Sequence, residues 1–269
     1  MANAIGQISP NKGNIMIGKG FMLFRPEDET LFYHLGNCPT IEVTPKVTSL
    51  EHFDAMQGTK EKDLDIVTER AMDVKINMEE FTKRNLAMLL MGTIDDTDPD
   101  KPKVNIFARD SLTGELRYYA ANDKGPRWYM TLLSVTFKPS GSFSPISEGF
   151  ASMEVTGSAN ALDGEWGDME LQPAARSIAP ENIFEPFISG EPNVGSVLTA
   201  MIGAWIGVDS FEYLWKADGT TPGATATSKT YVPVSGDAGK AMTVSVSGTN
   251  TIGTTGPVES EEVGPVVEY

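Results

Sequence analysis

The stretch from residue 40 to residue 78 reads TIEVTPKVTSLEHFDAMQGTKEKDLDIVTERAMDVKINM, and it alternates apolar and polar side chains in two long segments. A period of two places successive side chains on opposite faces of a β-strand, so Thr40–Leu50 and Asp63–Met78 are predicted to be strands. The apolar positions that define one face are Ile41, Val43 and Val47 in the first segment and Met72, Val74, Ile76 and Met78 in the second. The charged, Gly-containing stretch between them, Glu51–Lys62, is predicted to be a loop.

The polar positions of the two predicted strands are rich in acids. In the first strand Glu42 lies opposite the apolar face. In the second strand we expect the face opposite the apolar one to carry Asp63, Asp65, Glu69, Asp73, Lys75 and Asn77. The pair therefore predicts a sheet with one buried face and one acidic face.

One helix follows these strands. Thr82 is a suitable N-cap, and Gly92 is expected to end the helix. Further strand patterns, Val104–Ala108 and Glu115–Ala121, flank a predicted hairpin turn at Asp110–Gly114. Many strands and one helix indicate a mainly β domain, either a β-sandwich or a partly closed barrel with one flanking α-helix.

The composition of the chain changes towards its C-terminal third. Beyond a connector with three prolines at residues 179–192, the chain is rich in Gly, Thr, Ser and Val and almost lacks Lys and Arg. We therefore expect two domains, residues 1–185 and residues 186–269, within the 269-residue chain.

Charge and composition exclude several classes of protein. A net charge of −16 disfavours binding to a phosphate backbone. No apolar run reaches the length of a membrane-spanning helix, and the first twenty residues do not resemble a secretory signal. The single cysteine, Cys38, cannot form an intramolecular disulfide, which fits synthesis in a reducing cytoplasm.

The sequence contains no pattern typical of a catalytic or metal site. The two histidines, His34 and His52, have no neighbouring triad motif, and Cys38 is interpreted as a small buried hydrophobic residue. The acidic stretch 95–100 lacks the sixth-position Gly and twelfth-position Glu of a calcium loop. No acidic pair stands out for a carbohydrate-active enzyme. We therefore expect no catalytic, cofactor or metal site, and a protein that is not an enzyme.

The last eighty residues carry an ordered set of motifs: Val194-Gly195, Tyr213-Leu214-Trp215, Asp218-Gly219, Gly223-Ala224-Thr225, Asp237-Ala238-Gly239-Lys240 and Val244-Ser245-Val246. This order resembles the immunoglobulin-like (Ig-like) domains of bacterial surface proteins and phage virion proteins. The resemblance implies a β-sandwich with Tyr213 and Trp215 in its core. It also implies an accessory domain, for which binding of cell-surface glycans is expected.

The first region carries a second set of motifs: Leu35-Gly36-Asn37, Glu51-His52-Phe53-Asp54, Gly58-Thr59-Lys60, Gly92-Thr93, Arg117-Tyr118-Tyr119, Asn122–Pro126 and Pro139–Gly141. In this order they resemble the major tail tube proteins of long-tailed, siphovirus-type bacteriophages over residues 14–165. The resemblance implies the tail-tube fold and hexameric rings that stack into a hollow tube through which DNA is ejected. The partners would be further copies of the chain and other tail proteins, assembled in the host cytoplasm into the virion.

Two groups of residues acquire roles from this resemblance. Acids expected to line the lumen, where DNA passes without specific binding, are Glu42, Asp65, Glu69 and Asp73. Residues of the loop expected to contact a neighbouring ring are Glu51, Asp54, Lys60, Glu61 and Lys62. The alternatives are an ordinary solvated sheet face and a plain flexible loop.

A different function class remains open from the sequence. An adhesin or fibre protein could use the first domain to recognise a surface. Such a protein would remain monomeric or form small closed oligomers, whereas a tube subunit polymerises.

Overall fold

The computed structural model describes residues 14–16, 18–54, 56, 58–98, 101–122, 125–139, 141–142, 145, 149–222 and 226–268. Within these residues the protein is mainly β, with one α-helix, as the sequence predicts. The chain forms two compact units. The sheet unit comprises Gly20–Tyr119 and Trp128–Glu170; the C-terminal unit comprises Ala120–Arg127 and the chain from Leu171 onward, with the described residues before Gly20. The boundary between residues 185 and 186 stays a prediction about separately folding domains.

The sheet unit is built on one large sheet. Its strands run in the order β2-β1-β7-β8-β9-β4-β3, and β10 pairs with β8 outside this path. A small hairpin, β5 with β6, lies apart from the sheet. The strands are β1 (Gly20–Pro26), β2 (Tyr33–His34), β3 (Thr40–Asp54), β4 (Glu61–Met78), β5 (Thr93–Asp95), β6 (Lys103–Asn105), β7 (Leu112–Ala120), β8 (Arg127–Phe137), β9 (Met153–Ala159) and β10 (Gly167–Gln172).

Residues that lie opposite each other on paired strands point to the same face, so the register gives rows of side chains across the sheet. One row, from β3 to β7, is Thr44, Asp73, Ser158, Thr136 and Thr113. The adjacent row is Val43, Val74, Gly157, Phe137 and Leu112. Polar and apolar rows therefore alternate, and the sheet has one polar face and one face that joins the core.

The core face packs against α1 (Lys83–Leu89), which buries Asn85, Met88 and Leu89. Thr82 caps the helix as predicted, since its side chain accepts a hydrogen bond from the Asn85 amide, 3.1 Å away. The Asn85 side chain donates to the carbonyls of Leu35 and Glu80, both at 2.9 Å. The helix therefore ties the chain before β3 to the chain after β4.

Gly92 and Gly114, which are turn signals in the sequence, have a different role in the structure. Gly92 does not end the helix in a left-handed conformation; Met91 does, with φ of 47°. A Cβ on Gly92 would lie 2.7 Å from the Asn105 carbonyl, and one on Gly114 would lie 2.2 Å from the Arg25 carbonyl. The glycines are needed where two backbones approach closely.

The predicted hairpin around Asp110–Gly114 is wrong. β6 pairs with β5, whereas β7 begins at Leu112 and pairs with β8. Gly114 therefore lies inside a strand, because it allows β1 to approach β7.

The C-terminal unit is a two-layer arrangement of short strands. They are β11 (Glu181–Phe184), β12 (Phe187–Ser189), β13 (Leu198–Met201), β14 (Ala204–Ile206), β15 (Ser210–Ala217), β16 (Thr230–Tyr231), β17 (Met242–Thr249) and β18 (Thr254–Glu259). Two three-stranded sheets, β12-β13-β16 and β15-β17-β18, contribute to one buried cluster. β11 pairs with β14.

Trp215 is the largest side chain of this buried cluster, and it is fully buried. Its Nε1 donates to the Ser228 carbonyl at 2.8 Å, and its ring stacks on Tyr231 with centroids 5.8 Å apart. Tyr213 is half-buried and packs against the same cluster. The Tyr231 hydroxyl donates to Oδ2 of Asp237 at 2.7 Å, and Asp237 is itself only 2% exposed.

We expect Tyr231→Phe to lower the free energy of unfolding of the C-terminal unit by about 1–3 kcal/mol, because it leaves a buried carboxylate without one donor. Urea unfolding followed by tryptophan fluorescence measures this loss. Tyr213→Phe is the matched control, since the Tyr213 hydroxyl has no hydrogen bond among the described residues. Equal stability of the two variants would contradict the importance of the Tyr231–Asp237 bond.

Candidate functional site

The β3–β4 hairpin extends far beyond the sheet. β3 and β4 pair from Thr40–Asn77 to Asp54–Glu61, but β4 also pairs with β9 only from Met72 to Met78. The remainder, Lys46–Asp54 with Glu61–Ala71, is a ribbon of two strands, which we call the arm. Nine residues of β3 at a rise of about 3.3 Å per residue make the arm about 30 Å long.

The predicted loop Glu51–Lys62 is therefore wrong in its extent. Glu51 and Asp54 belong to β3, Glu61 and Lys62 belong to β4, and the connection is limited to residues 55–60. Charged residues occur in these strands because both faces of the arm are exposed, so no buried face imposes alternation.

Large apolar side chains are exposed along the whole arm. Leu50 lies opposite Ile66, and Leu64 lies two pairs further along, opposite His52, so the three share one face. The exposed fractions are Val47 67%, Leu50 66%, Phe53 45%, Met56 91%, Leu64 50%, Ile66 50% and Val67 49%. Contiguous exposed apolar side chains of this kind mark interaction surfaces.

A β-bulge in β4 decides which acids share a face. The register shifts between Thr48 and Ser49, where β4 has an extra residue, Thr68, whose hydroxyl donates to the Thr48 carbonyl at 3.1 Å. An extra residue on one strand exchanges the faces of the residues beyond it. Asp65 consequently lies opposite Glu51, on the other face from Glu69.

The predicted lumen acids are thus divided. Glu42, Glu69 and Asp73 lie on the polar face of the sheet, because their partners on β3 or β4 belong to the polar rows. The prediction that all four share one face is wrong for Asp65. The bulge that separates it has no clear signal in the sequence.

The polar face carries partly neutralised charge. Lys46 forms an ion pair with Asp73, and Lys75 forms one with Glu154 at 2.9 Å. Hydrogen bonding to Glu154 raises the pKa of Lys75, and the nearby Glu42 adds to the shift.

The polar face formed by Thr40–Thr48 and their partners on β4 and β9 has a net negative charge. Four carboxylates less two ammonium groups give two net negative charges, from Glu42, Glu69, Asp73 and Glu154 against Lys46 and Lys75. The rest of the face is largely hydroxyl and amide groups.

On the other face of the arm, three charged side chains form a bridge across the ribbon. Lys62 Nζ donates to Glu51 Oε1 and to Asp65 Oδ2, both at 2.7 Å. These bonds raise the pKa of Lys62, and the bond from Lys62 lowers the pKa of Asp65. All three groups are exposed, so the bridge adds little stability.

The other predicted contact residues lie at the end of the arm. Asp54 accepts a hydrogen bond from the Met56 amide at 2.8 Å, which stabilises the turn. Lys60 and Glu61 are exposed.

The histidines and the cysteine lie in separate environments. His34 Nδ1 accepts a bond from the Gly36 amide at 2.8 Å, and burial lowers the pKa of His34. His52 lies on the arm beside Asp63, 2.7 Å away. Cys38 packs against the core of the sheet unit, and burial raises the pKa of its thiol to about 12.

Among the described residues, no three His, Cys, Asp or Glu side chains are grouped as metal ligands. No helix in the described part of the chain is long and apolar enough to cross a membrane.

Comparisons with known proteins give a family model and similar solved structures. A family described as "Protein of unknown function UCP028589" matches residues 11–101, a third of the chain that includes the arm and α1. A solved structure titled "Tail of empty GTA particle computed with helical refinement, C6 symmetry" is similar over 57% of this chain and 96% of that chain, at 8% identity and a TM-score of 0.34. At these values the similarity does not establish a common fold. No curated protein matches.

The Cys38 thiol gives a test of the core beside the candidate site. Its raised pKa means that the folded protein keeps the proton while the unfolded chain loses it above about pH 8.5, so unfolding becomes easier as the pH rises beyond that value. Below about pH 8.5 the thiol is protonated in both states and adds no pH dependence. We expect urea unfolding to show a larger loss of stability between pH 7.5 and pH 10 for the wild type than for Cys38→Ser. Equal losses would contradict the burial of the thiol.

Proposed function

We propose that the chain is a self-assembling structural subunit of a phage-type tail tube. Copies form rings, hexameric as the sequence resemblance implies, and the rings stack into a hollow tube through which DNA is ejected. The observation that carries the proposal is the arm, a long ribbon with exposed apolar side chains and no third strand among the described residues.

The arm requires a partner for physical reasons. A ribbon of two strands is marginally stable in water, and stability comes from a third strand or from packing of an apolar face. Burial of one Leu or Ile side chain contributes about 1.5–3 kcal/mol, so covering Leu50, Leu64 and Ile66 would stabilise the arm substantially. In a self-assembling protein, a second copy of the same chain is always present to act as this partner.

The contact made by the arm would be heterologous. An arm that projects from one side of a subunit meets a different surface on the next copy. Heterologous contacts generate rings when the rotation closes, and open stacks when it does not. A tube of stacked rings uses both outcomes.

The polar sheet face is proposed to line the lumen. DNA carries about one charge per 1.7 Å of axis, so a lining with net negative charge and hydroxyl groups resists adhesion of the passing duplex. Glu42, Glu69 and Asp73 are the proposed lumen acids. Asp65, with Glu51 and Lys62, is assigned to the arm contact instead.

The C-terminal unit is proposed to be an Ig-like domain on the outside of the tube. Its two three-stranded sheets and its buried Trp215 fit the layout of such a sandwich, in which a Trp from one sheet fills the space between the two. The sequence resemblance implies binding of cell-surface glycans by this domain. The proposed location is the virion, after assembly in the host cytoplasm with other tail proteins.

The first test of this function is negative-stain electron microscopy of the concentrated protein. We expect hollow tubes for the wild type and none, at the same concentration, for the double variant Leu50→Ser/Ile66→Ser. Loss of even one buried apolar contact of about 1.4 kcal/mol changes an association constant tenfold. The folded subunit should keep its stability within about 0.5 kcal/mol, because both positions are exposed.

Leu31→Ser is the matched control, since Leu31 is 64% exposed and lies outside the arm, against 66% for Leu50. Tubes that form equally well with the double variant would contradict the proposed role of the arm in assembly. Discrete particles at every concentration of wild-type protein, with tail initiator components added, would favour the adhesin or fibre function.

The lumen assignment is tested by reversing charge. In particles that carry Glu42→Lys and Glu69→Lys, we expect slower DNA ejection because the lining then attracts phosphate. The measurement is the rate of DNA release from purified particles after triggering. Glu212→Lys in the C-terminal unit is the control for charge alone, and ejection as fast as in that control would refute the lumen assignment.

A further inference from the structure

We propose that His34, at the end of β2, is a pH-dependent switch that closes the turn before β3 at neutral pH and opens it on acidification. This turn comprises residues 34–38, and we call it the entry turn, because β3 begins two residues after it. The inference concerns the fold of a single chain, so it does not depend on the tube function.

A hydrogen bond to Gly36 fixes the protonation state of His34. The Gly36 amide lies 2.8 Å from Nδ1 of His34, and a backbone amide can only donate. Nδ1 therefore accepts this bond and carries no proton, so the imidazole is neutral with its proton on Nε2. Gly36 is buried and has φ of 79°, a left-handed conformation that glycine adopts without strain. A proton on Nδ1 would place two donors against each other inside this buried turn.

The surroundings of His34 favour the neutral imidazole at pH 7. Burial lowers the pKa of His34, and the negative charge of Glu80 opposes this shift in part. The Phe21 ring lies 5.8 Å from the imidazole between centroids, and Leu23 is paired with His34 across the two strands, but neither carries a charge. The Cys38 thiol keeps its proton, since burial raises its pKa. His34 thus changes its charge in the acidic range, where the thiol stays neutral.

A carboxylate lies beside the bond that protonation would break. Glu80 Oε1 accepts a hydrogen bond from the Asn37 amide at 2.8 Å, and Glu79 Oε2 accepts one from Asn37 Nδ2 at 2.5 Å. The Glu80 carboxyl group packs directly over Gly36, where a Cβ would lie 2.4 Å from Glu80 Cδ. Once His34 is protonated, this carboxylate is the nearby acceptor for the new Nδ1–H.

Protonation therefore exchanges one set of bonds for another. The Gly36 amide loses its acceptor in a buried position, which is unfavourable. The Glu80 carboxylate, attracted to the imidazolium, leaves the Asn37 amide. These bonds join the entry turn to the residues between β4 and α1, so their loss loosens the base of the β3–β4 hairpin.

The sign of the pH dependence follows from the lowered pKa. The unfolded chain takes up a proton at His34 as the pH falls through about 6.5, whereas the folded chain takes it up only at lower pH. The stability that neutral His34 contributes is complete above about pH 6.5 and is lost as the pH falls below that value.

Hydrogen exchange of the Gly36 amide, corrected for the intrinsic exchange rate at each pH, measures the opening of the turn. We expect its protection to fall at least about fivefold between pH 7.5 and pH 5 in the wild type, because one hydrogen bond is lost. His34→Asn keeps an oxygen acceptor near the position of Nδ1 but cannot take up a proton, so Gly36 protection should not change with pH in this variant. His52→Asn, at the other histidine, is the matched control and should behave as the wild type does.

Nitrogen-15 NMR of the imidazoles gives the second measurement. We expect an unprotonated Nδ1 of His34 at pH 7.5 and a titration midpoint below the ordinary value of a histidine. Glu80→Gln keeps an oxygen acceptor for the Asn37 amide but removes the negative charge, so the midpoint should move lower still.

Four results would each overturn the inference. They are a protonated Nδ1 at pH 7.5, Gly36 protection that stays constant while His34 titrates, an equal loss of protection in His34→Asn, and a midpoint that Glu80→Gln does not move. None of them bears on the tube function, which electron microscopy tests separately.

Discussion

The pairing of β3 with β4 is the interaction on which the rest of the structure depends. Its inner half is fixed on both sides of β4, because β9 pairs with Met72–Met78 and the same residues place alternate side chains in the core. Its outer half, the arm, is held only by the backbone pairing of β3 with β4. A ladder that starts from a rigid sheet needs no separate nucleation, so the arm can form as a continuation of the sheet. It then lacks the packing that would make it stable alone.

The same pairing sets the chemistry of both faces. Val43 and Val74 place the core on one side, and Thr44 and Asp73 place polar groups on the other. The bulge at Thr68 exchanges the faces of β4 beyond the last row that the sheet supports, and a second register shift follows between His52 and Phe53. Inside that point the polar face is continuous from β3 to β7. Outside it, apolar residues such as Leu50 replace polar ones. One strand pair therefore carries a polar surface in its inner part and an apolar contact surface in its outer part.

The sequence predicts the parts of this architecture that obey a simple period. Alternation in Thr40–Leu50 and in Asp63–Met78 identifies the two strands and their buried face. Thr82 identifies the start of the helix. Both signals are local in the sequence. The end of the arm, residues 51–54 with 61–62, is missed because its exposed strands carry many charges, which are typical of a loop. Asp65 is placed on the wrong face because one unpaired residue is invisible to periodicity. Gly114 is misread since the approach of a distant strand, not a turn, requires it.

Net charge limits how the proposed assembly can form. Each copy carries −16, and ring closure would bring the negative polar faces of several copies together. At an ionic strength of 0.1 M this repulsion is screened beyond about 10 Å, so it acts mainly between groups that face each other across short gaps. The apolar contacts of the arm do not depend on charge. Repulsion inside the proposed lumen is then compatible with attraction between subunits, because the proposed lumen acids and the apolar strip of the arm occupy successive segments of one hairpin.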